Sequence, residues 1–298
     1  MLIRKNAGDF WFEMMNYLFL MLLGVITLYP FVNLLAISLN DSVDAIKGGI
    51  YVFPRVFSLN NYKIIFQNHE LYSAAILSVI RTLIGTLLSL LCTMMLAYTL
   101  SRREFLLRKL FNVIIIFSLY VNGGLIPFYI LIKNLHMNNT FWVYIIPGLI
   151  GAFNVIIIRS YFEQLPEGLM ESARIDGAND FSILFRVIIP ISMPVIATIT
   201  LFVAVGHWNS WFDNYLYNSK QSLSVLQYEL MKILTESTQQ ISASASASGH
   251  VDQEVLKVTT PQSIRASMTI IVTIPILLVY PFMQRYFIKG IMVGAMKE

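Results

Sequence analysis

The feature that most constrains this chain is where its charges are missing. Met14 to Asn40 holds no Asp, Glu, Lys or Arg, and Leu71 to Ser101 holds only Arg81. Leu110 to Ile132, Asn134 to Ile158 and Ala266 to Gln284 hold none, and Val187 to Phe212 has only the imidazole of His207. A soluble domain carries about 25% charged residues. Here the figure is 13%, against 56% hydrophobic residues, and the charges are bunched between the runs. A helix needs roughly 20 apolar residues to cross a bilayer. The six runs therefore predict an all-α integral membrane domain of six transmembrane helices over 14–288. Short segments, 1–13 and 289–298, flank it.

Lysines and arginines set the orientation of such a chain. With the N-terminus in the cytosol, the inner segments are 1–13, 102–109, 159–186 and 285–298. They hold twelve Lys and Arg, against eight in the longer outer segments 41–70, 133–139 and 213–265. The expectation is that both termini are cytosolic. Arg4 and Lys5 precede an apolar run too long for a signal peptide, so 14–40 reads as an uncleaved first span. Cys92 is the single cysteine, so no internal disulfide can form. A net charge of +4 gives no reason to expect nucleic acid as a partner.

The loops are unequal. The segment 213–265 includes a Ser/Ala tract at 242–248, which is either a flexible linker or a surface loop ordered by a partner. The loop 164–190 is longer than a turn needs. It reads as two short helices with a break. Pro166 and Glu167 suit a helix start, Gly177 a left-handed helix end, and Asp180 a cap for the next helix. Pro190 and Pro194 fall near the start of the fifth span, where a missing N–H costs least. Leu169, Ala173 and Gly177 form a stripe of mostly small residues that another surface could approach. Met170 and Ile175 would add apolar contact, and Glu171, Arg174 and Asp176 charged contact. An amphipathic helix lying on membrane lipid is the alternative.

Glu171-Ser172-Ala173-Arg174-Ile175-Asp176-Gly177, followed by Ile189-Pro190, resembles the EAA loop of ABC importer permeases, with Ser172 in place of one alanine. Asn122-Gly-Gly-Leu-Ile-Pro127, His207-Trp-Asn-Ser-Trp-Phe212 and the tail from Tyr280 to Gly290 are similar to carbohydrate-type permeases, in the Gram-positive branch of lipoprotein-operon and complex-oligosaccharide importers. The resemblance implies a type I ABC importer permease fold in a bacterial cytoplasmic membrane. It also implies a second homologous permease subunit, two ATPase subunits and an extracytoplasmic substrate-binding protein. ATP and Mg would be bound by the ATPases and no cofactor by this chain, which has no phosphate-binding G-x-x-x-x-G-K-[ST] loop. Glu171, Ser172, Ala173, Arg174, Asp176, Gly177 and Pro190 would then form the coupling loop to the ATPase.

A sugar path calls for aromatic faces and multivalent polar groups. Asn122, Asn154, Trp208, Asn209 and Trp211 are the candidates, and Asp213, Asn214 and Tyr215 follow them at the outer end of the fifth span. The tryptophans equally suit an interfacial aromatic belt, and the asparagines equally suit interhelical hydrogen bonds. Asn122 lies at a Gly-Gly break that, with Pro127, predicts an interrupted third span. Pro275 predicts a kink in the last. Arg81 is either a functional intramembrane charge or one that snorkels to the outer interface. His69, His136, His207 and His250 have no metal-ligand company in sequence. An ion-coupled carrier would want acidic residues within the spans, and a membrane enzyme would want clustered His, Asp, Glu or Cys there. The six runs contain neither.

Overall fold

The computed structural model describes residues 7–235 and 260–295. The Ser/Ala tract at 242–248 and His250 lie outside them. The described residues form helices with no named strand and one isolated bridge, Asn40 to Phe57. Helices α1 (Ala7–Ser38), α4 (His69–Ser101) and α13 (Pro261–Ala295) contain three straight runs long and apolar enough to cross a bilayer. Helix α13 is continuous through Pro275 and Pro281.

The other three expected spans are not straight. The third is α5 (Arg108–Tyr120) and α6 (Leu125–Asn134), set 119° apart. Gly124 at the corner has φ 85, a conformation glycine adopts without strain. The fourth opens with two 3-10 turns, Phe141–Tyr144 and Ile146–Gly148, before α7 (Ala152–Phe162) at 49°. Pro147 and the nearby Gly148 and Gly151 explain why an apolar run failed to become one helix. In the fifth, α9 (Asp180–Ile183) leads through a π-helical turn, Leu184–Ile188, and the short α10 (Ile189–Ile191) to α11 (Met193–Asn209), with an 88° bend. Pro190 and Pro194 each sit in the first turn of their helix, as the sequence led us to expect.

Hydroxyl groups show how these helices suit hydrocarbon, where a polar group must find its partner within the protein. Thr27 donates to Leu23 O at 2.9 Å, Thr82 to Ser78 O at 2.7 Å, Thr200 to Ile196 O at 2.7 Å and Thr273 to Thr269 O at 2.7 Å. Each returns one turn along its own helix. Helix α1 is apolar on all sides and exposed over nearly its whole length.

The chain forms two compact units. One comprises residues 1–69 and 232–274, the other 70–231 and 275–298. In the first, the segment after α1 is folded around two buried amides. Asn40 Oδ1 accepts from Arg55 N and Val56 N at 2.7 and 2.8 Å. Asn61 Nδ2 donates to Ser38 O and Asn40 O at 3.0 and 2.9 Å, while its Oδ1 accepts from Ser42 Oγ. Asp41 caps the short α2 (Ser42–Ala45). Asp44 accepts from Asn40, Lys47 and Arg55. The hydrogen bond from Asn40, ahead of the two cations, holds its carboxyl below the usual range.

In the second unit, α4 buries a stripe of Ala74, Ser78, Arg81, Gly85, Ser89, Thr93 and Ala97. All but Arg81 are small, which lets neighbouring backbones come close. The largest core joins Leu90, Met94 and Ala97 of α4 to Val155, Ile158 and Phe162 of α7. It continues through Met170, Ile183, Leu184 and Ile188 to Ile196 and Ile199 of α11. The 164–190 loop is thus tied into the bundle core.

Candidate functional site

Helix α8 (Gly168–Ile175) occupies the middle of that loop. Its first turn closes on Pro166 and Glu167, whose carbonyls accept from Leu169 N and Met170 N. Its end is a Schellman motif: Ala178 N bonds Ala173 O, and Gly177 N bonds Arg174 O, both at 3.0 Å. Gly177 has φ 79, the left-handed value that this motif demands of the residue after the cap. The next helix is capped by Asn179, which accepts from Ser182 N at 2.8 Å. Asp180, expected to be the cap, is instead its first residue. An extended Asn179 puts its own short side chain over the free N–H groups.

Most of α8 points outward, and only the stripe of Met170 and Ala173 turns in. Met170 is 8% exposed and packs in the core, so it is not the outward contact that its position suggested. Ala173 is half-buried against the same core. Glu171, Ser172, Asp176 and Gly177 are exposed, as is Ile175 at 86%. Ser172 Oγ returns to Gly168 O at 2.8 Å, so the serine fits the helix as an alanine would. Pro190 ends the loop, at the bend into α11.

Arg174 is not free for an outside partner. Its Nη1 and Nη2 donate to Glu104 Oε1 and Oε2 at 2.6 and 2.9 Å, and Asp180 lies 3.6 Å from Nη2. The bond from Arg174 holds the Glu104 carboxyl below the usual glutamate range, and Glu104 in turn raises Arg174. Arg103 pairs with Glu167 at 3.4 Å, and Arg108 with Glu163 at 2.6 Å. The segment 102–108, from the end of α4 to the first residue of α5, thus grips the loop at two places and the end of α7 at a third. A cavity of about 420 Å³ lies among these charges, with Glu171 on its wall. The sequence signal for this second loop is its charge cluster, which hydropathy and charge counting treat only as an orientation marker.

The five residues proposed for a sugar path do not converge. Asn154 lines a cavity of about 330 Å³ with Arg81, Tyr144, His207 and Asp213. Trp208 is buried against apolar side chains, including Leu83 and Leu201, away from that cavity. Asn209 accepts from Gln227 at 3.1 Å. Trp211 packs on Phe212 and Tyr215, with ring centroids at 5.6 and 6.4 Å. Asn122 accepts from Gly124 N at 2.9 Å and shapes the corner between α5 and α6. Arg81 does not snorkel: it is 2% exposed and paired with Asp213, because the chain supplies a carboxylate at its own depth. Asp213 lies one residue past the fifth apolar run, which hid the pair from a search of the runs. Among the described residues no three His, Cys, Asp or Glu are grouped to hold a metal.

Residues 85–293 match the family described as binding-protein-dependent transport system inner membrane component. The chain is 36% identical over 287 residues to the polygalacturonan/rhamnogalacturonan transport system permease protein YtcP of Bacillus subtilis, covering 96% of this chain and 98% of that one. It is 36% identical over 286 residues to the protein LplC of the same organism, covering 96% and 95%. A crystal structure of a bacterial ABC transporter involved in the import of the acidic polysaccharide alginate contains a chain similar to this one. The TM-score is 0.85 at 26% identity, covering 96% of this chain and 99% of that chain. An all-helical, multi-span fold, an anchored loop with an exposed Glu171 face and a family match over most of the length agree: the chain belongs to the binding-protein-dependent transport system inner membrane components, the non-catalytic permease subunits of ABC importers.

Proposed function

We propose that this permease imports an oligosaccharide or sugar derivative, and that α8 is the element a cytosolic ATPase moves. The observation that carries the second part is the division of α8 between an anchored and a free face. Met170 and Arg174 tie it to the bundle, while Glu171, Ser172, Ile175 and Asp176 are left for a partner. A push on the free face reaches α4, α7 and α11 through one continuous core. Such a link lets ATP binding elsewhere bias a two-state rearrangement of the spans.

On this reading both termini and the 102–109 and 164–190 loops face the cytosol. Two ATPase subunits there bind ATP and Mg, and a second permease subunit completes the path. The 41–70 and 213–265 segments face outward, toward an extracytoplasmic binding protein. The saccharide substrate is supported by the names of the polygalacturonan and alginate systems that the chain resembles.

Co-expression with an ABC-type ATPase of the same genome, followed by purification through a tag on this chain, tests the coupling. A stable complex that Glu171→Arg uncouples or disrupts is expected. If no ATPase is retained and Glu171→Arg leaves uptake intact, the coupling role of α8 is wrong.

A further inference from the structure

We infer that Asp213, oriented by Arg81, anchors a subsite for an uncharged, hydroxyl-bearing sugar unit. This rests on the saccharide reading above and narrows it. The cavity of about 330 Å³ lies among α4, α6, α7 and α11. That is near the lower end of the range of roughly 300–1,000 Å³ for small-molecule sites. The sequence gives no other acid or lysine to its wall: the ionisable side chains there are Arg81, Asp213, His207 and two tyrosines.

The charges have a direction. Arg81 lies behind. Its guanidinium sits 4.5 Å from the Tyr144 ring centroid, and Nη1 donates to Ser210 O at 3.0 Å and Asp213 Oδ1 at 3.3 Å. Nη2 donates to Asp213 Oδ2. Its Nε is buried and has no hydrogen-bond partner. Asp213 lies in front, with 21% of its side chain exposed. Oδ1 also accepts from Asn214 N at 2.9 Å. An ionised carboxylate has about four acceptor positions, so capacity remains on this one. Half-buried Asn154 and His207 supply further donors and acceptors, and the ring of Phe128 supplies an apolar wall.

A hydroxyl can donate to Asp213 while accepting from Asn154. A uronate carboxylate cannot do this. It would meet Asp213 as a like charge, and the guanidinium of the only permanent cation on the wall already faces that carboxylate. Inside a low-dielectric wall an unpaired carboxylate is strongly disfavoured. The cavity thus selects by repulsion as well as attraction.

The test uses the assembled transporter in proteoliposomes at about pH 8, where an ordinary imidazole is neutral. The probes are the α-1,4-linked galacturonic acid trimer and its methyl ester, each saturating the binding protein so that its own preference drops out. The wild type is expected to carry the ester about tenfold faster than the acid, and Asp213→Asn to close most of that gap. Asn154→Asp, a near-isosteric change, is expected to widen it and decides the matter if Asp213→Asn does not assemble. An acid carried as fast as the ester by the wild type, or a gap that neither variant alters, overturns the subsite and leaves the saccharide reading standing. If neither probe is carried and neither stimulates ATP hydrolysis, the saccharide reading falls and takes the subsite with it.

Discussion

Arg174 and Glu104 form a two-point ion pair, with Nη1–Oε1 at 2.6 Å and Nη2–Oε2 at 2.9 Å, that joins α8 to the loop between α4 and α5. A lysine could not reproduce its planar fork. Exposed pairs contribute little to folding, so their loss should show in coupling rather than in stability. Arg174→Glu and Glu104→Arg are each expected to lower uptake per ATP hydrolysed several-fold, with thermal unfolding nearly unchanged. The double exchange should restore most of it. Failure of the double variant to recover would mean that the pair does not transmit force. The pair is also acid-sensitive. Because the folded Glu104 carboxyl lies below its usual range, its contribution is present above that range and disappears as pH falls through the lowered value.

Gly177 can be ranked by substitution. Its φ of 79 is costly for a side chain with Cβ, so Gly177→Ala should lose about 1–2 kcal/mol at the helix end. Gly177→Asn should lose less, since asparagine tolerates this region. Chemical denaturation of the reconstituted protein should give the order Gly, Asn, Ala. An alanine variant as stable as wild type would rule out strain here.

Gly85 admits no side chain. A Cβ there would lie 2.7 Å from the His207 ring. Gly85→Ala should destabilise the α4–α11 packing by about 1–3 kcal/mol, the usual range for overpacking. His207→Ala should relieve most of that cost in the double variant. Additive losses would show that the two positions are not in conflict.

Asn40 holds the backbone of Arg55 and Val56. Asn40→Ala leaves two inward-facing N–H groups without their acceptor, a loss of about 1–3 kcal/mol for each group left unsatisfied. Trypsin should then cut at Arg55 faster than in the wild type. Unchanged cleavage would show that the segment is held by something else.

The location of six apolar runs was legible because a bilayer imposes one requirement, length without charge. The shape of those runs was not. Hydropathy gives Leu110–Ile132 the same weight on both sides of Gly124, whereas the backbone turns 119° between α5 and α6. The helix end at Gly177 was legible because local sterics decide it. Met170 was misplaced for the opposite reason: whether an apolar side chain on a short helix faces in or out depends on Phe162, Ile183 and Leu184, which arrive from elsewhere in the chain. Arg81 and Asp213 are 132 residues apart, and no local pattern links them.

Met170 gives the joint between α8 and the bundle a particular mechanical character. A thioether on an unbranched stem can follow a moving neighbour through several rotamers without opening a void. A β-branched side chain has essentially one helical rotamer. The joint is therefore compliant, closer to a ball seated in a socket than to a weld. On the proposed coupling role, isoleucine there is expected to leave the fold intact and lower uptake per ATP hydrolysed.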